Sequence, residues 1–172
     1  MAHELYTRTN QKLFFAGLSL ESWRKAEEGR AMNAQALVQS EREASLFHLY
    51  GALLGLCHEI AGYYRLPEAN APRVELLLTP QVLAAAPSPE LAELVELAQQ
   101  GETWLAELLA AYRTLFQPPQ APKQAKVDPT LPLITAVSVE EEEAPLSRET
   151  LEFWRQNLKS LALRFRETLS EC

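Results

Sequence analysis

Apolar residues recur at intervals of three and four along most of this chain, the spacing of one face of an α-helix. In the first segment Leu5, Thr9, Leu13, Ala16, Leu20 and Trp23 fall on one stripe, which predicts a helix over about residues 3–28 with Gly29 as its stop. A second helical pattern starts near Met32 or Asn33 and continues to Arg65, where Leu66-Pro67 ends it. At 1.5 Å per residue that helix is roughly 50 Å long. All 11 prolines lie between Pro67 and Pro145 and divide that part of the chain. Thr79-Pro80 predicts a short turn of helix. Ser88-Pro89, an N-cap followed by proline at the first helical position, predicts a longer helix with Leu91, Leu94, Val95 and Ala98 on its apolar side. Gly101 breaks it, and Leu105, Leu108, Tyr112 and Leu115 define another. The last helix opens at Ser147 and carries Leu151, Trp154, Leu158, Leu161, Phe165 and Leu169, the most regular amphipathic pattern of the chain. There is no internal repeat, and β-branched residues are too few outside the proline-rich stretch to build a sheet.

The expected fold is therefore all-α: a helical bundle of four main helices, with two long antiparallel N-terminal helices and a C-terminal helix returning after a Pro-rich linker. The chain reads as a single domain over residues 1–172, with 117–145 as an acidic, partly extended linker holding six of the prolines.

The stretch LFHLYGALLGLCHEIAGYY, residues 46–64, is nearly free of charge yet holds histidines, a cysteine and three glycines. On a helical wheel its leucines form a broad core face, while Ala44, Gly51, Gly55 and Gly62 share a sector of about 40° on the opposite side. Such a strip lets another helix come close, either from the same chain or from a second copy in a homodimer. It does not span a bilayer, because the uncharged run between Glu43 and Glu59 is 15 residues and a span needs about 20. Nor does it hold a metal: His48 and His58 are about 15 Å apart along the axis.

Composition narrows the function classes. With 16 basic and 23 acidic residues the net charge is −7, so the molecule as a whole repels phosphate backbones and nucleic acid is a disfavoured partner. The N-terminus lacks a secretory pattern, which predicts a cytoplasmic protein. Cys57 and Cys172 make neither a disulfide framework nor a zinc spacing. No cofactor and no metal are expected, and no nucleophile stands at a meaningful distance from a base. Arg148, Arg155, Lys159 and Arg166 line up beside the leucine stripe of the last helix, where they either bind an anionic ligand or face the acidic middle of the chain; the second is favoured. In the linker, Leu133, Ile134, Val137 and Val139 alternate with small residues ahead of Glu140, Glu141, Glu142 and Glu143, a pattern suited to adding a strand to a protein partner's sheet edge.

Arg42 and His48 stand as R-x5-H in a long helix, which resembles the R-x4-6-H signature of HEPN ribonucleases. That resemblance implies RNA cleavage by the two residues at a dimer interface. It departs from the pattern at Glu43, where those nucleases usually carry a neutral polar residue or aspartate. More broadly, from LYTRTNQKLFFA through FHLYGALLGLCHEIAGYYRL to GETWLAELLAAYRTLF the chain resembles a small family of uncharacterised helical proteins from Pseudomonas and related gammaproteobacteria. This implies a bacterial cytoplasmic protein and carries over no site residue. The leading expectation is a non-enzymatic interaction or adaptor protein acting through helix packing and the acidic linker. The alternative is a HEPN-type RNA-cleaving enzyme using Arg42 and His48.

Overall fold

The computed structural model describes residues 2–118 and 145–170. Within them the chain is helical: α1 (Ala2–Glu28), α2 (Ala34–Tyr63), α3 (Pro80–Ala85), α4 (Pro89–Gln99), α5 (Trp104–Thr114) and α6 (Arg148–Ser170), with a single 3-10 turn at Val74–Leu76. The fold class matches the pattern of the sequence, with three long helices and three short ones. The extended segment expected at Leu133 to Val139 lies outside the described residues.

α1 and α2 run antiparallel: Lys12 lies at Gly51, Thr9 at Gly55 and Leu5 at Gly62, so position rises along one helix as it falls along the other. α6 then lies antiparallel to α1, since Arg148 meets Glu27 and Arg166 meets Asn10. The predicted stripe of α1 is the one that is buried, with Ala16 and Trp23 fully enclosed against Leu46, Leu49, Leu53 and Leu56 of α2. Leu151, Trp154, Leu158, Leu161 and Phe165 of α6 complete this core. A buried leucine contributes about 1.5–3 kcal/mol relative to an exposed one, so these rows dominate the stability.

The helix starts follow the caps legible in the sequence. Thr79, Ser88 and Ser147 accept hydrogen bonds from the amides of Val82, Leu91 and Thr150. Thr103 caps α5 in the same way through the Ala106 amide. The helix ends fall at or within two residues of the expected positions but are closed differently. No glycine has a positive φ, so Gly29 ends α1 without a left-handed turn; among the described residues the one in that region is Arg65, at φ 54°. There the Arg65 amide donates to Gly62 O at 3.2 Å and the Leu66 amide to Ala61 O at 2.8 Å. This pair of hydrogen bonds closes α2 as a Schellman turn, and the burial of Leu66 offsets the steric cost of a left-handed arginine.

Candidate functional site

The glycine strip of α2 is occupied by α1. A Cβ added at Gly55 would stand 2.7 Å from Thr9 Oγ1 and 3.2 Å from the Thr9 Cα, so the two backbones are nearly in contact. At Gly51 the neighbour is the side chain of Lys12, and at Gly62 the tip of Leu5. Ala44 is half-buried. A second copy of the chain would reach Gly55 only by displacing α1, whereas Gly51 and Gly62 face side chains of that helix.

Where the strip meets α6 lies the most enclosed ion pair among the described residues. The Glu59 carboxylate, on a side chain 9% exposed, accepts from Arg166 Nε at 2.8 Å and Nη2 at 3.2 Å. It also accepts from the Thr9 hydroxyl at 2.6 Å. Arg166 Nη1 donates to Asn10 Oδ1, and its guanidinium lies 3.7 Å from the Tyr6 ring centroid. Three helices thus converge on one two-pronged ion pair whose remaining capacity is satisfied by neighbours.

The other arginines of the stripe are also held by α1 rather than by the acidic middle of the chain. Arg155 Nε donates to the mid-helix carbonyl of Leu13 at 2.9 Å, and Gly17 makes this approach open: a Cβ there would sit 2.9 Å from Arg155 Nη2. Arg148 reaches Glu27 at 3.4 Å. The arginine that does meet the acidic middle is Arg164, outside the stripe, paired with Glu93 of α4. That carboxylate holds the Arg164 guanidinium above its ordinary range. Lys159 is exposed.

Two hollows of about 420 and 340 Å³ follow one another along this α1–α6 seam and share Phe14 and Arg155. Their walls include Tyr6, Phe14, Leu18 and Leu163, which are 42–60% exposed. The result is a groove of mixed character, with Phe14, Leu18 and Leu163 exposed among Arg148, Arg155, Lys159 and Arg166 and the carboxylates Glu21 and Glu152. The sequence carried a signal for it: Phe14 and Leu18 are large apolar residues that fall off the buried stripe of α1.

Arg42 and His48 have separate surroundings. Arg42 donates to the Leu146 carbonyl at 3.1 Å and lies 5.0 Å from the Trp23 ring centroid. The His48 ring packs edge-on against Phe15 and Phe47, and its buried Nδ1 has no hydrogen-bond partner. Burial, with the Lys12 charge second, holds His48 below its usual pKa. Burial likewise pushes the Cys57 thiol up to about 12, which makes it a poor nucleophile. Among the described residues no group of three His, Cys, Asp or Glu side chains is placed to hold a metal ion. No described helix is long and apolar enough to cross a membrane.

An all-helical bundle with an amphipathic groove and no assembled catalytic constellation among its described residues is the class that the fold and site define. The chain belongs to DUF6586, a family of unknown function, whose model matches residues 1–172. No curated protein and no solved structure matches it.

Proposed function

We propose that the chain is a non-enzymatic interaction protein of the bacterial cytoplasm that holds a protein partner on the α1–α6 groove. The observation that carries this reading is the exposure of Phe14 (60%), Leu18 (50%) and Leu163 (51%) along one seam, with Phe14 shared by both hollows. Large apolar side chains clustered beside arginines have the composition of an interface core. The acidic linker, Leu133, Ile134, Val137, Val139 and Glu140 to Glu143, is the second contact of the same reading and lies outside the described residues.

A photoreactive phenylalanine analogue at position 14 tests it in cells of the host. The expected result is a discrete protein adduct from position 14 and none from the exposed control position Gln99. Identical adducts from both positions, or none from position 14, contradict the groove as the contact. A partner retained by the groove but lost when Glu140 to Glu143 are all lysine places a further contact in the linker.

The HEPN alternative asks for an arginine and a histidine that converge on an RNA phosphate. Arg42 engaged by Leu146 and Trp23, and His48 packed between two phenylalanines, weigh against it. RNA cleavage by the purified protein that disappears in the double variant Arg42→Ala, His48→Ala would reinstate the nuclease.

A further inference from the structure

The opposite flank of α1 carries a second cleft, independent of the α1–α6 groove. It has a volume of about 360 Å³ and opens between α1, α2 and α5, within the range of about 300–1,000 Å³ typical of small-molecule sites. Its lining is mostly apolar. Tyr50 and Tyr112 stack there at 3.8 Å between centroids with 8° between planes, and Leu54, Phe47 and Pro72 continue the lining. Gly51 carries the Lys12 stem across it, which sets that ammonium at the rim of the cleft.

The polar groups of the cleft are sorted into committed and uncommitted ones. The Tyr50 hydroxyl donates to Glu75 at 2.6 Å and accepts from the Val74 amide at 3.0 Å. Burial first, and that carboxylate second, raise its pKa, so the phenol stays neutral. His58 Nε2 is 2.7 Å from the Ala71 carbonyl, which makes it the protonated nitrogen of the ring. By contrast Arg8 and Lys12, four residues apart and on the same side of α1, make no ion pair among the described residues. Lys12 Nζ rests instead 4.9 Å from the Phe47 ring centroid and 5.9 Å from that of Phe15. No carboxylate lines the cleft, although the chain as a whole carries a charge of −7.

We infer that this cleft is a binding site for a small aromatic carboxylate, its ring against Tyr112, Leu54 and Pro72 and its carboxylate between Arg8 and Lys12. The ring replaces water on an apolar surface that already stacks one phenol on another. The carboxylate supplies the counter-charge that Arg8 and Lys12 lack, and arginine can grip it with two parallel hydrogen bonds. A neutral aromatic compound leaves both cations unpaired, and an aliphatic acid forgoes the ring contact, so the site requires both features in one molecule.

Titration calorimetry of the full chain with 2-naphthoate, and with neutral 2-naphthamide as its uncharged counterpart, tests the inference. The expected result is saturable binding of the acid with a submillimolar Kd, weaker binding of the amide, and affinity that falls as salt rises. Arg8→Gln and Lys12→Gln each weaken the acid about tenfold or more, the worth of one charge-assisted hydrogen bond. Both positions are on the helix surface, and an unchanged melting temperature shows that the variants are folded. No saturable binding at millimolar concentration, equal affinity for acid and amide, or affinity unaffected by the variants overturns the assignment.

Discussion

Helix α1 is fastened along two seams built in opposite ways. Toward α2 the contact is made by absence: Gly55 withholds a side chain so that the backbones approach, and Gly51 and Gly62 leave room for the side chains of Lys12 and Leu5. Toward α6 it is made by reach: Arg148, Arg155 and Arg166 extend from one helix to carbonyls, amides and carboxylates of the others. At Gly55 the first seam has a single geometry, since backbone cannot move aside for an added atom. The second tolerates adjustment, because a long side chain swings before a helix shifts. This difference teaches where binding is expected. The α6 seam leaves hollows lined by large apolar side chains, whereas the close-packed seam admits a ligand only at its margin, beside Tyr50 and Tyr112.

Substitutions along the two seams break the comparison in graded steps. The largest effect is expected where they meet. Glu59→Ala strands the Arg166 guanidinium, whose side chain is 17% exposed, and lowers stability by about 3 kcal/mol, the low end for a buried pair that loses one partner. Denaturant unfolding measures this, and Arg166→Met in the same background should recover part of the loss. Next comes the close seam itself. Gly55→Ala drives a methyl group against Thr9, which Glu59 holds in place, and costs about 1–2 kcal/mol. Gly51→Ala meets only the flexible Lys12 side chain and gains about 0.5 kcal/mol from helix propensity. Opposite signs at two glycines one turn apart would establish that backbone contact sets the seam; equal signs would refute it.

The smallest effect concerns pH. His48 is held below its ordinary value of 6.5 by burial and by Lys12, so the unfolded chain takes up a proton that the folded chain resists. Its contribution to stability is complete above about pH 6.5 and is lost as pH falls through the depressed folded value. Melting temperatures of the wild type and of His48→Phe should therefore diverge between about pH 7 and about pH 5, with the wild type losing more. Parallel curves would mean that His48 titrates as it does in water.

Much of the scaffold was legible because its determinants are local. The apolar stripes of α1 and α6 and the caps at Thr79, Ser88 and Ser147 depend on residues within a few positions of each other. The end of α2 was legible only in position. Its left-handed residue is Arg65 where glycine is the usual choice, since burial of Leu66 stabilises the turn from outside the local sequence. The partners of the basic stripe were not legible at all. Which carboxylate Arg166 meets depends on the path of the chain between α5 and α6, and charge balance along the sequence pointed to the region of residues 67–117 instead. The groove was half-legible: Phe14 and Leu18 stood off the buried stripe, but only the position of α6 turns them into its wall.

The central claim is that the glycine strip seats the chain's own α1, which leaves the α1–α6 groove as the face for a partner. Gly55→Leu tests it most directly, with melting temperature and mass in solution measured on the same sample. The account predicts a clear fall in melting temperature and an unchanged mass. An unchanged melting temperature with a halved mass would contradict it, because the strip would then be an interface between copies.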